Sequence, residues 1–122
     1  MLISREFRFE AAHQLPDHPG KCRNLHGHRY RMRVVCEAPV DPKSGLAIDF
    51  GELKRVVHEH VVDCLDHTYL NEILTTPSAE HIAIWAWDRL RDAGLPLVEI
   101  EVHETDTTAL PLYYGGGERV VV

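Results

Sequence analysis

No stretch of the 122 residues approaches the ~20 consecutive apolar positions that a membrane-spanning helix requires, so no membrane partner is expected. The opening residues, MLISREFRFEAAH, alternate in polarity instead of forming an apolar export core, and a cytoplasmic location is the expectation. Cysteine is scarce. Cys22, Cys36 and Cys64 are odd in number and lack Cys-x-x-Cys spacing, which speaks against a disulfide framework and a four-cysteine zinc site. Positive charge is also lacking: at a net charge of -6 the chain cannot gain the phosphate-neutralising affinity on which general nucleic-acid binders depend. Between His18 and Cys36, however, Lys21, Arg23, Arg29, Arg31 and Arg33 stand without an acidic residue, which suits a small anionic ligand or simply a solvated strand face. Repeats, linkers and low-complexity segments are missing, and 44% hydrophobic residues are enough to bury a core, so residues 1–122 read as one domain.

What the chain has in surplus is histidine, nine in all, the side chain most used for metal ligation and proton transfer near neutral pH. Two of these, His26 and His28, fall in an alternating run, His26 to Ala38, with Tyr30, Met32 and Val34 on the same face and Arg29, Arg31 and Arg33 on the other. A preceding run carries Phe7, Phe9, Ala11 and His13 on one face against Glu6, Arg8 and Glu10. The polar loop between them predicts an antiparallel pair. Asp49 with Glu52 has the pattern of a capping box, the aspartate bonding the third amide, and a helix follows with Leu53, Val56, Val57, Val61, Cys64 and Leu65 on its apolar face. A second helix is announced by Thr76 and Pro77, runs through Ile82, Trp85, Ala86 and Leu90, and is stopped by Gly94 and Pro96. Leu97 to Thr105 alternates again, and the tail from Ala109 predicts one or two further strands broken by Gly115, Gly116 and Gly117. The order ββααββ implies an α+β domain, an antiparallel sheet with two helices on one face.

Residues two apart on a strand leave the same face about 6.6 Å apart at the backbone, so His26 and His28 can converge on one ion, and antiparallel pairing delivers His13 to the same point. Three imidazoles with a fourth position open make a catalytic zinc site. Cys22, flanked by Lys21 and Arg23, is a thiolate candidate for base or nucleophile; it reads equally as a fourth ligand closing a structural site, or as an inert loop residue. Asp66 and His67 are adjacent, so the carboxylate can orient the ring for proton transfer, although a histidine at a helix C-terminus also suits the dipole. Glu104 continues the face of Val98, Ile100 and Val102. A carboxylate aimed there needs a partner, such as the paired N–H groups of a guanidine-like heterocycle, unless the strand ends and releases it to solvent. Glu80 sits in the first turn of the second helix, where it complements the dipole.

FEAAH (9–13), CRNLHGH (22–28), AIDFGELK (47–54), LDHTYLN (65–71) and Glu104-Thr105 together resemble the 6-pyruvoyl-tetrahydropterin synthases and their bacterial relatives, the 6-carboxytetrahydropterin synthases of queuosine biosynthesis. The motifs occur in family order from Phe7 to about Tyr114. The resemblance implies a tunnelling fold in which three subunits join their sheets into a barrel and two trimers stack as a homohexamer. It implies zinc (Zn2+) on His13, His26 and His28, Cys22 as catalytic thiol, and Asp66 with His67 as its relay across a subunit boundary. It implies Glu104 as pterin anchor, with Ser78 and Glu80 as further substrate contacts; Ala79 stands where many members carry a hydroxyl. The implied substrate is 7,8-dihydroneopterin triphosphate; Lys21 and Arg23, by their charge, are candidates to receive the triphosphate. The short spacing from Cys22 to His26 resembles the branch that yields 6-carboxy-5,6,7,8-tetrahydropterin, acetaldehyde and triphosphate. The alternative is the pyruvoyl branch, which eliminates triphosphate without breaking the carbon chain. A non-enzymatic module with Cys22 as fourth zinc ligand is the third reading.

Overall fold

Alternation decides the centre of the sheet. In the computed structural model, which describes residues 1–105 and 111–114, β1 (Leu2–His13) buries Phe7, Phe9, Ala11 and His13 and exposes Glu6, Arg8 and Glu10. β2 (His26–Glu37) buries Tyr30, Met32, Val34 and Cys36. The two pair antiparallel over their full length, from Leu2 opposite Glu37 to His13 opposite His26, as their shared polarity pattern requires.

The helical layer starts at Asp49, whose Oδ1 accepts from the amide of Gly51 at 2.9 Å, the second amide of α1 (Phe50–Val57) and not the third. Glu52 does not reach back to complete the capping box. It turns to Arg55, at 2.6 Å, because a guanidinium one turn on offers a charge-assisted bond. The helix continues through a π-helical stretch (His58–Val62) into α2 (Asp63–Leu65). A π turn holds an extra residue, which rotates everything after it by about 100° relative to an α-helical register. Val62 therefore joins Val57 and Val61 in the core, and Cys64, expected there on uninterrupted periodicity, lies half-exposed with its sulfur 3.6 Å from Arg89 Nη2.

The segment after α2 corrects the all-antiparallel expectation. Asp66 turns extended, His67 adopts a left-handed φ of 58°, and Thr68–Tyr69 forms β3, which pairs parallel to β1 at Ala11 and Ala12. Backbone groups at that end of the β1 edge thereby find partners. A 3-10 turn (Leu70–Glu72) leads to α3 (Ala79–Asp92). This helix begins two residues later than Thr76-Pro77 suggests, because the Ser78 hydroxyl is its cap, accepting from the amide of His81 at 3.2 Å. It ends at Gly94, whose φ of 93° a glycine adopts without penalty.

β4 (Leu97–His103) pairs antiparallel with β2, with an irregularity at Val35/Cys36, and β5 (Leu112–Tyr113) pairs with β4. The strand order is β3-β1-β2-β4-β5. Ala109 and the glycines at 115–117 lie outside the described residues. Phe7, Phe9, Tyr30, Met32, Ile100 and Val102 from the sheet meet Leu53, Val57, Leu65, Ile82, Ala86 and Leu90 from the helices in one hydrophobic cluster, so the helices cover one face. Trp87 is part of it, edge-on to Tyr113, whereas Trp85 stays at the rim under Arg89. No described helix is long and apolar enough to cross a membrane.

Leu53 is fully buried, so Leu53→Ala is expected to cost about 2–5 kcal/mol, against about 1 kcal/mol for loss of the α1 cap in Asp49→Ala. Urea denaturation of both variants measures the difference; equal losses would contradict the assignment of Leu53 to the core.

Candidate metal centre

His13 is the last residue of β1 and stands directly across the ladder from His26, the first of β2; His28 follows two residues on, opposite Ala11. All three imidazoles therefore leave the sheet on one face and at one end. One ligand atom from each lies within 4.8 Å of the other two, and the ring centroids are 4.5 to 5.0 Å apart. Among the described residues these three form the only such group of three or more metal-ligating side chains.

The partners of the rings decide their tautomers, since a carbonyl oxygen can only accept. His13 Nδ1 donates to the carbonyl of Pro77 at 2.7 Å, with the buried Tyr30 hydroxyl at 3.3 Å, and His26 Nδ1 donates to the carbonyl of Asn24 at 2.7 Å. In the neutral rings both Nε2 atoms are then bare lone pairs, and they face each other at 2.9 Å. Two lone pairs at that distance repel unless a cation or a proton joins them. His28 Nε2 is buried with no hydrogen-bond partner, and the nearest charge is Glu104 Oε2 at 3.6 Å. Two nitrogens with open lone pairs, their rings held by backbone carbonyls, and a third buried without a partner match a site for a divalent ion that favours imidazole, zinc foremost.

Electrostatics points the same way. Burial holds the His13 imidazole below its ordinary value, with the Pro77 hydrogen bond and the Glu104 charge opposing. The His28 ring is lowered by burial too, again against Glu104. Neutral imidazoles are the form that binds metal.

Cys22 lies in a 3-10 turn (Lys21–Arg23), half-buried, and its carbonyl accepts from the amide of Leu15 at 2.8 Å, which folds the loop back over the end of β1. Its sulfur is not a member of the ligand cluster, so the structure gives no support to a closed site of one cysteine and three histidines. Asp66 and His67 are paired as expected, with Oδ1 to Nδ1 at 3.0 Å. The Glu10 amide donates to the same carboxylate, and this bond leads the lowering of the Asp66 pKa, with the His67 contact adding to it. The His67 side chain is 76% exposed, at the outer edge of the sheet. His28 and His67 nevertheless border one cleft, about 500 Å³ in volume, with Gly27 and Arg29 in its wall.

Glu104 is mostly covered, and does not simply reach solvent. It borders a second cleft of about 460 Å³ with Gly27, His28, Thr105 and three arginines. Ser78 and Glu80 have local explanations, as cap and as first-turn charge of α3. Their segment reaches the histidines through Pro77 instead. That carbonyl, like the one of Asn24, escapes a reading of the sequence because a backbone group has no side-chain signature; only the placement of Pro77 just ahead of a helix cap hints at an oriented carbonyl.

Residues 2–113 match the protein family described as 6-pyruvoyl tetrahydropterin synthase. The chain is 45% identical over 115 residues to the 6-carboxy-5,6,7,8-tetrahydropterin synthase of Synechocystis sp., covering 88% of this chain and 89% of that protein. It is 31% identical over 126 residues to the 6-pyruvoyl tetrahydrobiopterin synthase of Homo sapiens, covering 85% of each. The solved structure of Caenorhabditis elegans 6-pyruvoyl tetrahydropterin synthase superimposes with a TM-score of 0.85 at 29% identity, over 94% of this chain and 95% of that one. The tunnelling fold expected from the motifs is borne out.

Because burial lowers His13 and His28 in the folded chain while the unfolded rings keep the ordinary value of 6.5, the unfolded state binds more protons below that pH. Stability of the metal-free protein is therefore expected to be full above 6.5 and to fall as pH drops through the lowered values. Urea denaturation against pH checks this, and a stability that rises on acidification through that window contradicts it.

Proposed function

The chain belongs to the 6-pyruvoyl tetrahydropterin synthase family, and from that membership we propose that this pterin synthase is the zinc-dependent lyase that converts 7,8-dihydroneopterin triphosphate, with water, to 6-carboxy-5,6,7,8-tetrahydropterin, acetaldehyde and triphosphate, a step of queuosine biosynthesis. The observation that carries the reading is the convergence of three imidazoles, two with Nε2 freed by carbonyl-held tautomers and the third with Nε2 buried and unpartnered, beside the carboxylate of Glu104. The choice of the carboxy branch rests on likeness: 45% identity to a relative named for that product against 31% to one named for the pyruvoyl product.

His13, His26 and His28 hold the zinc, which supplies Lewis-acid stabilisation of negative charge on a substrate oxygen when bound. Glu104 accepts two hydrogen bonds from the 2-amino and ring N–H of the pterin, which fixes the ring and aims its side chain at the trio. Ser78 and Glu80, at the start of α3, contribute weaker contacts. The Cys22 thiol moves a proton at the substrate side chain, and Asp66 holds the His67 ring so that its outer nitrogen can pass the proton on.

A relay as exposed as His67 calls for a second subunit to enclose it. Among the described residues β3 pairs with β1 only at Ala11 and Ala12, and no strand of theirs pairs with the outer edge from Leu2 to Phe9, which suits another sheet. Both features support a homohexamer of two stacked trimers with active sites at subunit boundaries.

Incubation of purified protein with dihydroneopterin triphosphate is expected to release acetaldehyde in step with triphosphate. A diketo pterin without acetaldehyde would move the chain to the pyruvoyl branch. Cys22→Ala is expected to keep its zinc and its oligomer while losing turnover, and loss of zinc from that variant would refute the role given to the thiol. In Glu104→Gln, substrate affinity should fall more than zinc affinity; unchanged substrate binding sinks the anchor.

A further inference from the structure

One edge of β1 is laced to a single segment of chain. The Glu10 amide donates to Asp66 Oδ1 at 2.9 Å, and its carbonyl accepts the amide of His67 at 2.6 Å. Ala11 and Ala12 lie opposite Thr68 and Tyr69. The lacing runs one residue beyond His13, past the point where the ladder with β2 has ended. There the Gln14 amide donates to Asn71 Oδ1, and Asn71 Nδ2 donates to the Gln14 carbonyl, each at 2.9 Å.

A carboxamide carries one acceptor and a pair of donors in one plane, as a peptide group offers an acceptor and a donor. The Asn71 side chain therefore stands in for the next rung of a strand. It is held stiffly for that purpose: it sits in the 3-10 turn Leu70–Glu72, anchored by the fully buried Leu70. The amide it captures belongs to the peptide bond joining His13 to Gln14. Without that rung the peptide bond after His13 would lose its partner on the outer edge, and His13 would be held only by its ladder pairing with His26 and its ring bond to Pro77.

Resting on the reading of the three histidines as a metal centre, we propose that Asn71 is a positioning residue: its two-bond clasp on Gln14 sets the direction of the His13 imidazole and ties the metal trio to the segment that carries Asp66 and His67. Asn71 touches neither metal nor substrate. It acts through the backbone of residues 13 and 14, so that two parts of the site, on different elements, keep one spacing.

A residue that only stabilised the fold would change the melting temperature and leave the metal affinity of the folded chain as it was. The test is cobalt(II) titration of the metal-free full chain in three forms: the parent, Asn71→Ala and Tyr69→Phe. The Tyr69 hydroxyl also donates to Gln14, at 2.7 Å, but to its side chain and not its backbone. Asn71→Ala is expected to bind cobalt about tenfold more weakly, with shifted visible ligand-field bands, as loss of an orienting partner does at other metal sites. Tyr69→Phe is expected to leave both readings unchanged. Parent-like affinity and bands in Asn71→Ala overturn the proposal, as does equal weakening in both variants, which would signal a general loosening of Gln14. Should Asn71→Ala fail to fold, Asn71→Asp, which keeps the acceptor and loses the donor, serves in its place: affinity below the parent supports the clasp and parental affinity overturns it. A parent that binds no cobalt removes the metal reading and this inference with it, whereas a binding parent with an indifferent Asn71 removes this inference alone.

Discussion

The ladder between β1 and β2 is the constraint on which the site depends. Side chains on a strand alternate faces, so a slip of one residue between these partners would carry an imidazole from the buried face to the opposite one. Register is set by burial: Phe7, Phe9 and Ala11 must share a face with Tyr30, Met32 and Val34, and the stacked rings of Phe9 and Tyr30, 5.0 Å apart, lie just inside the trio. The force that folds the sheet is thus the one that aligns His13 with His26. The histidines cannot be misplaced without exposing the core.

Backbone carbonyls complete what the register begins. Pro77 and Asn24 come from different segments, one leading into α3 and the other leading into β2, and each fixes the tautomer of one ring. Burial then keeps His13 and His28 from taking up protons that would compete with a metal. The cap of α3 at Ser78 is part of this arrangement, because it determines where the helix starts and hence where the preceding carbonyl is presented.

Much of this is legible in residue order. Period-two patterns mark β1, β2 and β4, and the spacing of His26 and His28 with His13 at the end of a facing strand points to the trio. Periodicity misplaces Val62 and Cys64 because a π turn leaves no mark in it other than a shift that looks like noise. β3 escapes notice because two residues cannot show alternation, and Asp66-His67 looks like any helix end. Ser78 reads as a ligand contact, and its second task, accepting from a helix amide, is not evident from its motif alone. The clasp of Asn71 on Gln14 has no forerunner in the sequence, since it joins a side chain to backbone 57 positions away. Periodicity records which face is wet; it is silent about which carbonyl turns where.

Gly27 lies between His26 and His28 and forms part of the wall of both clefts. A methyl group built there would meet only the Ala11 carbonyl, at 3.7 Å, an ordinary contact. The backbone at this position makes no demand for glycine. What the missing side chain leaves behind is room, so bulk at position 27 would act as a throttle on the size of the visitor admitted from either side, while the strand beneath stayed as it is.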